Sequence, residues 1–252
     1  MGLWLLTAAS LGAAVALSPL VRESRAVTVL GARETWRLEW KSAPKPSCDD
    51  EPDGLVTCPC QGFAVGEQGE LFLVRLRPGK PEQRLALAPL FEGRDEPAAV
   101  LRRYDAEAWY AAGEAGREKL PSLPVMKISA YGPATAGFVL QTGSWSCGHQ
   151  PSVLVGVSRQ RDEPHAVGTA EHPDQPVVLE RQASWQELRE KGRVESIETA
   201  CGDHGSELEH VVSLRADAAG LHGSWADYAC EVDGKRGALL ERGTLGGQPL
   251  NR

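Results

Sequence analysis

Thr35-Trp36-Arg37-Leu38-Glu39-Trp40-Lys41 is the stretch that decides the fold class, because its apolar and charged side chains alternate. Successive side chains of a strand point to opposite faces, so both tryptophans and the leucine share one face. The pattern predicts a half-buried β-strand with its charged face in water. Large aromatic side chains anchor a core more often than a ligand surface, so we assign both tryptophans to the core.

The segments that follow extend this strand into a sheet. Glu70–Arg77 is predicted to be a second strand, with Phe72, Val74 and Leu76 facing inward. The Pro-Gly turn after it is typical of a hairpin, and Arg84–Leu90 is the expected partner strand.

One segment, near residues 95–119, predicts the main helix. Asp95 is a candidate cap, and Pro97 suits a first helical turn. Apolar side chains then recur at helical spacing, while Gly113 weakens the continuation and Pro121 ends it. The helix separates residues 27–92 from residues 125–252, so we expect an N-terminal β segment, a helical connector at 93–124 and a C-terminal β-rich part, or one domain made from both β parts.

The C-terminal part is dominated by short strand patterns divided by turns. A short helix is predicted near 184–191, where Ser184 and Glu187 have the spacing of a capping box. The chain is therefore predicted to be mainly β, a β-rich α+β fold built as an antiparallel sandwich, barrel or propeller-like sheet. The expected strands are Val125–Tyr131, Gly137–Thr142, Ser152–Ser158, Pro176–Arg181, Arg193–Thr199, Leu208–Arg215, Leu221–Val232 and Arg236–Leu245.

The segment Pro124–Leu140 resembles one FG-GAP-type repeat, in which a calcium loop leads into an apolar strand of a β-propeller. The apolar strand is matched by Gly137-Phe138-Val139-Leu140. The acidic calcium ligands of that family are absent between Ser129 and Phe138, so the resemblance implies a propeller-like strand without a metal.

The six cysteines predict structural disulfides. A Cys-Pro-Cys stretch lacks the two intervening residues of a thioredoxin-type redox motif, so we favour bridges over redox chemistry. Cys201 with Cys230 is the leading pair, and Cys48 with Cys58 or Cys60 would fasten the loop predicted at Ala43–Gly54. The candidates are Cys48, Cys58, Cys60, Cys147, Cys201 and Cys230.

The N-terminal segment predicts export. Gly2–Leu17 is apolar and as long as a signal-peptide core, and Ala14-Val15-Ala16 and Ser24-Arg25-Ala26 are two candidate cleavage patterns. Residues 1–26 are therefore expected to be a signal peptide or an uncleaved N-terminal anchor. Either form places the rest of the chain outside the cytoplasm: periplasmic, in the cell envelope or extracellular.

Charge and hydropathy exclude two classes of partner. The net charge is −7 and no cluster of Lys or Arg breaks the acidic balance, which argues against nucleic acid. No second apolar run is long enough to span a membrane.

Motifs of catalysis are missing, and one group of side chains is a candidate for metal chemistry. The nucleophile elbow, the phosphate-binding loop and the zincin motif are all absent. A metal site is the alternative interpretation of Cys201, His204, Glu207 and His210. We instead expect His210 on an inward strand face, with its ring hydrogen-bonded, and His204 in the preceding turn.

Together these observations favour a non-enzymatic, exported and disulfide-stabilised binding or envelope-associated domain, with no cofactor and no assigned catalytic residue. The alternative is a secreted hydrolase or metal-dependent enzyme that uses His149, His204 or His210. The ligand and the partner are not specified by the sequence.

Overall fold

The computed structural model describes residues 20–47, 66–91, 98–117, 119–143 and 149–246. Within these ranges the chain is mainly β, with antiparallel sheets and few helices, so the predicted fold class is confirmed. Its strands are β1 (Val21–Val29), β2 (Ala32–Trp40), β3 (Lys45–Ser47), β4 (Gly66–Gly69), β5 (Leu71–Leu76), β6 (Gln83–Ala86), β7 (Ala99–Arg102), β8 (Ser129–Tyr131), β9 (Thr135–Gln141), β10 (Ser152–Ser158), β11 (His165–Ala166), β12 (Val178–Leu179), β13 (Arg193–Thr199), β14 (Leu208–Asp217), β15 (Gly220–Cys230) and β16 (Arg236–Thr244), and its helices are α1 (Ala106–Arg117) and α2 (Gln182–Lys191).

The first sheet has the strand order β1-β2-β5-β6 and is antiparallel throughout. The hairpin of β5 and β6 is the one expected from the sequence. Strand β1 was not expected, because its residues were assigned in part to the signal peptide or anchor. It pairs with β2 from Val21, opposite Glu39, to Val29, opposite Ala32.

The inward face predicted for β5 is wrong for Phe72 and Leu76, which are partly exposed, although Val74 is buried. Register places Leu71 and Leu73 opposite the core-facing Trp40 and Leu38, so these leucines face the core instead. Arg75 lies opposite Trp36 and is buried with them. Its charge is tolerated there because Glu34, which is also buried, accepts hydrogen bonds from its guanidinium.

The central sheet has the order β11-β10-β9-β8, with β12 also paired to β10. All seven residues of β10 are buried. One face of this sheet packs on the first sheet, where the Trp36 and Phe138 rings meet edge to face at 6.5 Å. Leu154 on the other face belongs to a second core. The central sheet is therefore covered on both sides.

The second core is closed by α2 and by a sheet of order β13-β14-β15-β16. The short helix is confirmed, but the predicted capping box is wrong, because α2 begins at Gln182 and its N-cap is Arg181. Ser184 lies inside the helix, where its hydroxyl hydrogen-bonds that of Ser196 at 2.6 Å. Gly192 ends the helix in the left-handed conformation.

A further small sheet has the strand order β3-β4-β7. Strand β3 lies in the segment predicted to be a loop, and β7 lies in the segment predicted to be the main helix. Residues Ala99–Arg102 form β7 and not the start of the main helix, because their buried apolar side chains pair with β4. Helix α1 begins later, and Asp105 caps it by accepting a hydrogen bond from the Ala108 amide at 3.0 Å. Gly113 interrupts its helical geometry.

The sheets of the described residues stack through the two cores, and none of them closes into a barrel. The FG-GAP-like segment forms the β8–β9 hairpin, and its likeness to a propeller repeat stays a prediction. Neither described helix is long and apolar enough to cross a membrane.

Candidate ligand-binding cleft

A cleft of about 330 Å³ lies where β7, β9, α2 and residues 123–127 meet. This volume is at the lower end of the range for small-molecule sites. The lining combines apolar side chains with cations and amides. Its charged and amide residues are Arg102, Lys127, Arg189, Gln141, Gln182 and Gln186, and its aromatic residues are Tyr131 and Trp185.

The first wall of the cleft, residues 123–126, is irregular backbone held in place from β1. A Glu23 carboxylate oxygen accepts hydrogen bonds from the amides of Val125 at 2.7 Å and Met126 at 3.2 Å. Arg22 donates to the Leu123 carbonyl at 3.0 Å and forms an ion pair with Glu67. The first strand of the chain therefore fixes the position of the cleft wall.

The second wall is one face of α2. Gln182, Gln186 and Arg189 stand at positions i, i+4 and i+7, which share a face of a helix. Trp185 and Leu188 are buried in the second core. The Trp185 indole donates to the Ser152 carbonyl at 3.4 Å, which fastens the helix to the central sheet.

Tyr131 and Trp185 form the aromatic floor, with ring centroids 6.1 Å apart and planes almost perpendicular. Tyr131 is only 4% exposed. Burial raises its pKa, and the positive charge of Arg189 acts in the opposite direction. The phenol therefore keeps its proton at neutral pH and remains a hydrogen-bond donor. Its hydroxyl makes no hydrogen bond within the described part of the chain.

The cleft is lined by positive side chains, whereas the whole chain has a net negative charge. Of the described residues that line it, none is Asp or Glu, although the chain has 34 acidic and 27 basic residues. Lys127 is exposed and forms no ion pair with any described residue. Arg189 has one carboxylate neighbour outside the lining, Glu190, at 3.1 Å. The cleft thus presents positive charge beside an apolar floor.

The described residues that the sequence named as chemical candidates do not line this cleft. Cys201 and Cys230 form a disulfide, which is the leading pair of the sequence analysis. The Cys201 sulfur is therefore not a free thiolate for a metal. Cys48, Cys58, Cys60 and Cys147 lie outside the described residues.

His149 and His210 each contact a different carboxylate. His149 contacts Asp203, with 3.3 Å between Nε2 and a carboxylate oxygen. His210 is half-buried and its Nδ1 hydrogen-bonds Asp227, while its ring stacks on Trp225 with centroids 6.1 Å apart. The expected inward ring contact of His210 is therefore present.

His204 and Glu207, the other two members of the alternative metal set besides Cys201 and His210, lie before β14. The backbone of His204 lies in a 3-10 turn at Asp203–Gly205. Glu207 is exposed, and its carbonyl accepts a hydrogen bond from the Cys230 amide at 2.9 Å. Among the described residues, no group of three or more His, Cys, Asp or Glu side chains is placed to hold a metal ion.

Sequence reasoning missed the cleft because its residues come from four separate segments without a shared motif. The polar stripe on α2 was the available signal, since three amide or cationic side chains recur at helical spacing beside the buried Trp185. The chain matches no protein-family model, no curated protein and no solved structure with which it was compared.

Proposed function

We propose that this chain is an exported, disulfide-stabilised, non-enzymatic binding domain of the cell envelope or the extracellular space, and that its cleft binds a small molecule. The observation that carries the proposal is the cleft itself. It combines a volume suited to a small ligand, an apolar aromatic floor and a few convergent polar groups, which together are typical of binding sites.

Two features support export. The apolar segment Gly2–Leu17 has the length and composition of a signal-peptide core. The disulfide between Cys201 and Cys230 is compatible with an oxidising compartment, where such bonds persist.

The alternative, a secreted hydrolase or metal-dependent enzyme using His149, His204 or His210, has weaker support. His149 and His210 each face a carboxylate of their own, Asp203 and Asp227. A His–carboxylate pair orients an imidazole, but nucleophilic catalysis also needs a hydroxyl or thiol within hydrogen-bond reach of that imidazole. Among the described residues, the contacts of these two rings are with carboxylates and Trp225 and include no hydroxyl or thiol.

A ligand-observed NMR screen of cationic, neutral and anionic small molecules tests the binding proposal. The screen uses the oxidised full-length chain and two tryptophan variants on α2. Gln186→Trp fills the mouth of the cleft from an exposed position, whereas Ala183→Trp adds the same side chain at an exposed position of the same helix outside the lining. Circular dichroism confirms that both variants are folded.

We expect a set of molecules that bind the wild type and Ala183→Trp but lose binding in Gln186→Trp. Binding that survives in Gln186→Trp would place the site elsewhere. Absence of any ligand in all three charge classes would refute the binding function.

A further inference from the structure

Resting on the proposed binding function, we infer that the ligand is a small amphipathic anion: one acidic group, carboxylate or phosphate, bound near Lys127 and Arg189, and an apolar part placed against the floor of the cleft. The geometry that points to it is the joining of positive charge, with no carboxylate among the described lining residues, and buried aromatic surface in one cavity.

The charged side chains that line the cleft are all positive. The cations that carry the inference are Lys127 and Arg189, and none of the described lining residues is Asp or Glu. Lys127 is the strongest candidate, because its ammonium forms no ion pair with any described residue. Arg189 uses Nη2 toward Glu190, so its other guanidinium donors remain for a ligand.

A neutral donor adds to these charges. The Tyr131 side chain is more than nine-tenths buried, lines the cleft and makes no hydrogen bond within the described residues. The hydroxyl is not one of the fully buried side-chain atoms that lack a partner, so it is open to the cleft, where it can donate to an acceptor oxygen of a bound ligand. Carboxylates and phosphates supply such oxygens, whereas an ammonium ligand supplies only further donors.

The apolar side chains of the cleft favour a ligand with an apolar part. Leu123, Val125 and Val139 are all partly exposed and line the same cavity. Covering their surface removes apolar area from water, which favours a ligand with a hydrocarbon or aromatic portion over a bare inorganic ion. The small volume limits that portion to a short chain or a single ring.

The amide side chains of the cleft are already engaged and act as fixed walls. Gln182 donates to the Gln141 side chain at 3.2 Å, and Gln141 donates to the Gly143 carbonyl at 2.8 Å. Gln186 donates to Glu190 at 2.9 Å. The side chains that we expect to donate hydrogen bonds to the acidic group of the ligand are therefore Lys127, Arg189 and Tyr131. The amide side chains form the walls at the mouth of the cleft.

Isothermal titration of the oxidised full-length chain with hexanoate, hexyl phosphate and hexylammonium tests the inference, because these probes share a hydrocarbon chain and differ in charge. We expect both anions to bind at least about tenfold more tightly than hexylammonium. The two anions report which acidic group the site prefers. Lys127→Met and Arg189→Met remove one charge each while keeping side-chain length, and each should weaken anion binding by about fivefold or more.

Lys80→Met is the matched control, since Lys80 is an exposed lysine in the turn after β5 and does not line the cleft. It should leave the affinity for both anions unchanged. Equal or tighter binding of hexylammonium, unchanged anion affinity in Lys127→Met and Arg189→Met, or no anion binding by the wild type would each overturn the inference. If a neutral or cationic molecule binds the wild type and is lost in Gln186→Trp, the proposed binding function stands and only the anionic assignment fails.

Discussion

Gly137 and Gly156 lie opposite each other in the central sheet, where β9 and β10 approach closely. A Cβ atom on Gly137 would overlap the carbonyl oxygen of Val155, and one on Gly156 would overlap that of Ala136. Both obstacles are backbone atoms, so no change of rotamer relieves the overlap. These two glycines are required by the close approach of the strands and not by a turn.

Gly137→Ala is therefore expected to lower the free energy of unfolding by about 2–3 kcal/mol, as overpacking of a closely packed interior does. Gly69→Ala is the matched control, because a Cβ there would meet the Trp40 ring at an ordinary 3.5 Å. Chemical denaturation of both variants measures the difference. Equal stability of the two variants would show that β9 separates from β10 without cost.

His222 links two acidic side chains at the surface. Its Nδ1 lies 2.6 Å from a Glu171 oxygen, and its Nε2 lies 3.2 Å from an Asp217 oxygen. The hydrogen bond with Glu171 is the main reason that the pKa of His222 is raised, and Asp217 adds to it. Protonated His222 thus fastens the segment that carries Glu171 to β14 and β15.

Stabilisation by His222 should be present at low pH and disappear on the alkaline side. A group whose pKa is raised on folding contributes fully below its unfolded pKa, about 6.5, and the contribution is lost as the pH rises through the folded value. The difference in unfolding free energy between wild type and His222→Gln should therefore be largest near pH 5.5 and smallest near pH 8.5. Denaturation curves across this range measure it, and a difference independent of pH would contradict the ion-pair interpretation.

At the scale of the element, the alternating strands were predictable and the short ones were not. The period-two pattern of β2 and the polar turns around β13 to β16 are local signals, and the structure has strands there. The strand β7 was hidden because its apolar side chains also fit a helical repeat that continues to Tyr104. A short apolar run has no period of its own, and only its pairing with β4 decides its conformation.

The inward face of β5 shows a second limit. Phe72, Val74 and Leu76 satisfied the sequence pattern, yet the core face carries Arg75. Hydrophobic alternation identifies a strand but does not reveal that Glu34, distant in sequence, compensates a buried guanidinium. The cleft escaped prediction for the same reason, because it is formed by tertiary contact between segments.

Strand β1 leads to a prediction about where the mature chain can begin. A chain that starts at Val27 lacks most of β1, including Arg22 and Glu23. It loses the pairing with β2 from Val21 to Ala26, the ion pair to Glu67 and both hydrogen bonds to the cleft wall. A chain that starts at Leu17 keeps all of them.

We therefore expect the Val27 form to be less stable than the Leu17 form by about 3 kcal/mol or more, since breaking a buried ion pair alone costs this much. Denaturation of the two purified, oxidised forms measures the difference. Equal stability would show that β1 is dispensable and would leave Ser24-Arg25-Ala26 open as a cleavage pattern. The expected result favours cleavage behind Ala14-Val15-Ala16.

At the scale of the whole molecule, the one disulfide within the described residues stabilises the C-terminal sheet. It joins residues 29 positions apart and connects the end of β15 with the segment between β13 and β14. A cross-link over a loop of this length removes conformational entropy from the unfolded chain.

Replacing both cysteines, as in Cys201→Ser with Cys230→Ser, should lower the free energy of unfolding by about 3–4 kcal/mol. Denaturation with and without reductant, together with non-reducing peptide mapping, separates this bridge from others. If reductant still lowers the stability of the double variant, the remaining four cysteines form at least one further disulfide. A double variant as stable as the oxidised wild type would remove the disulfide from the argument for export.

The central sheet, covered on both faces, governs the order in which the chain can acquire its structure. Trp36 contacts Phe138, which lies about 100 residues later in the chain. The opposite face of β10 packs in the second core with Trp185 and Trp225, which lie later still. Such distant contacts cost loop-closure entropy before any apolar surface is covered, so they form slowly and together. During synthesis from the amino end, the apolar face of β2 stays exposed until β9 and β10 have been made. The opposite face of β10 stays exposed until β15 has been made. The second core is therefore completed only when the last quarter of the polypeptide has emerged.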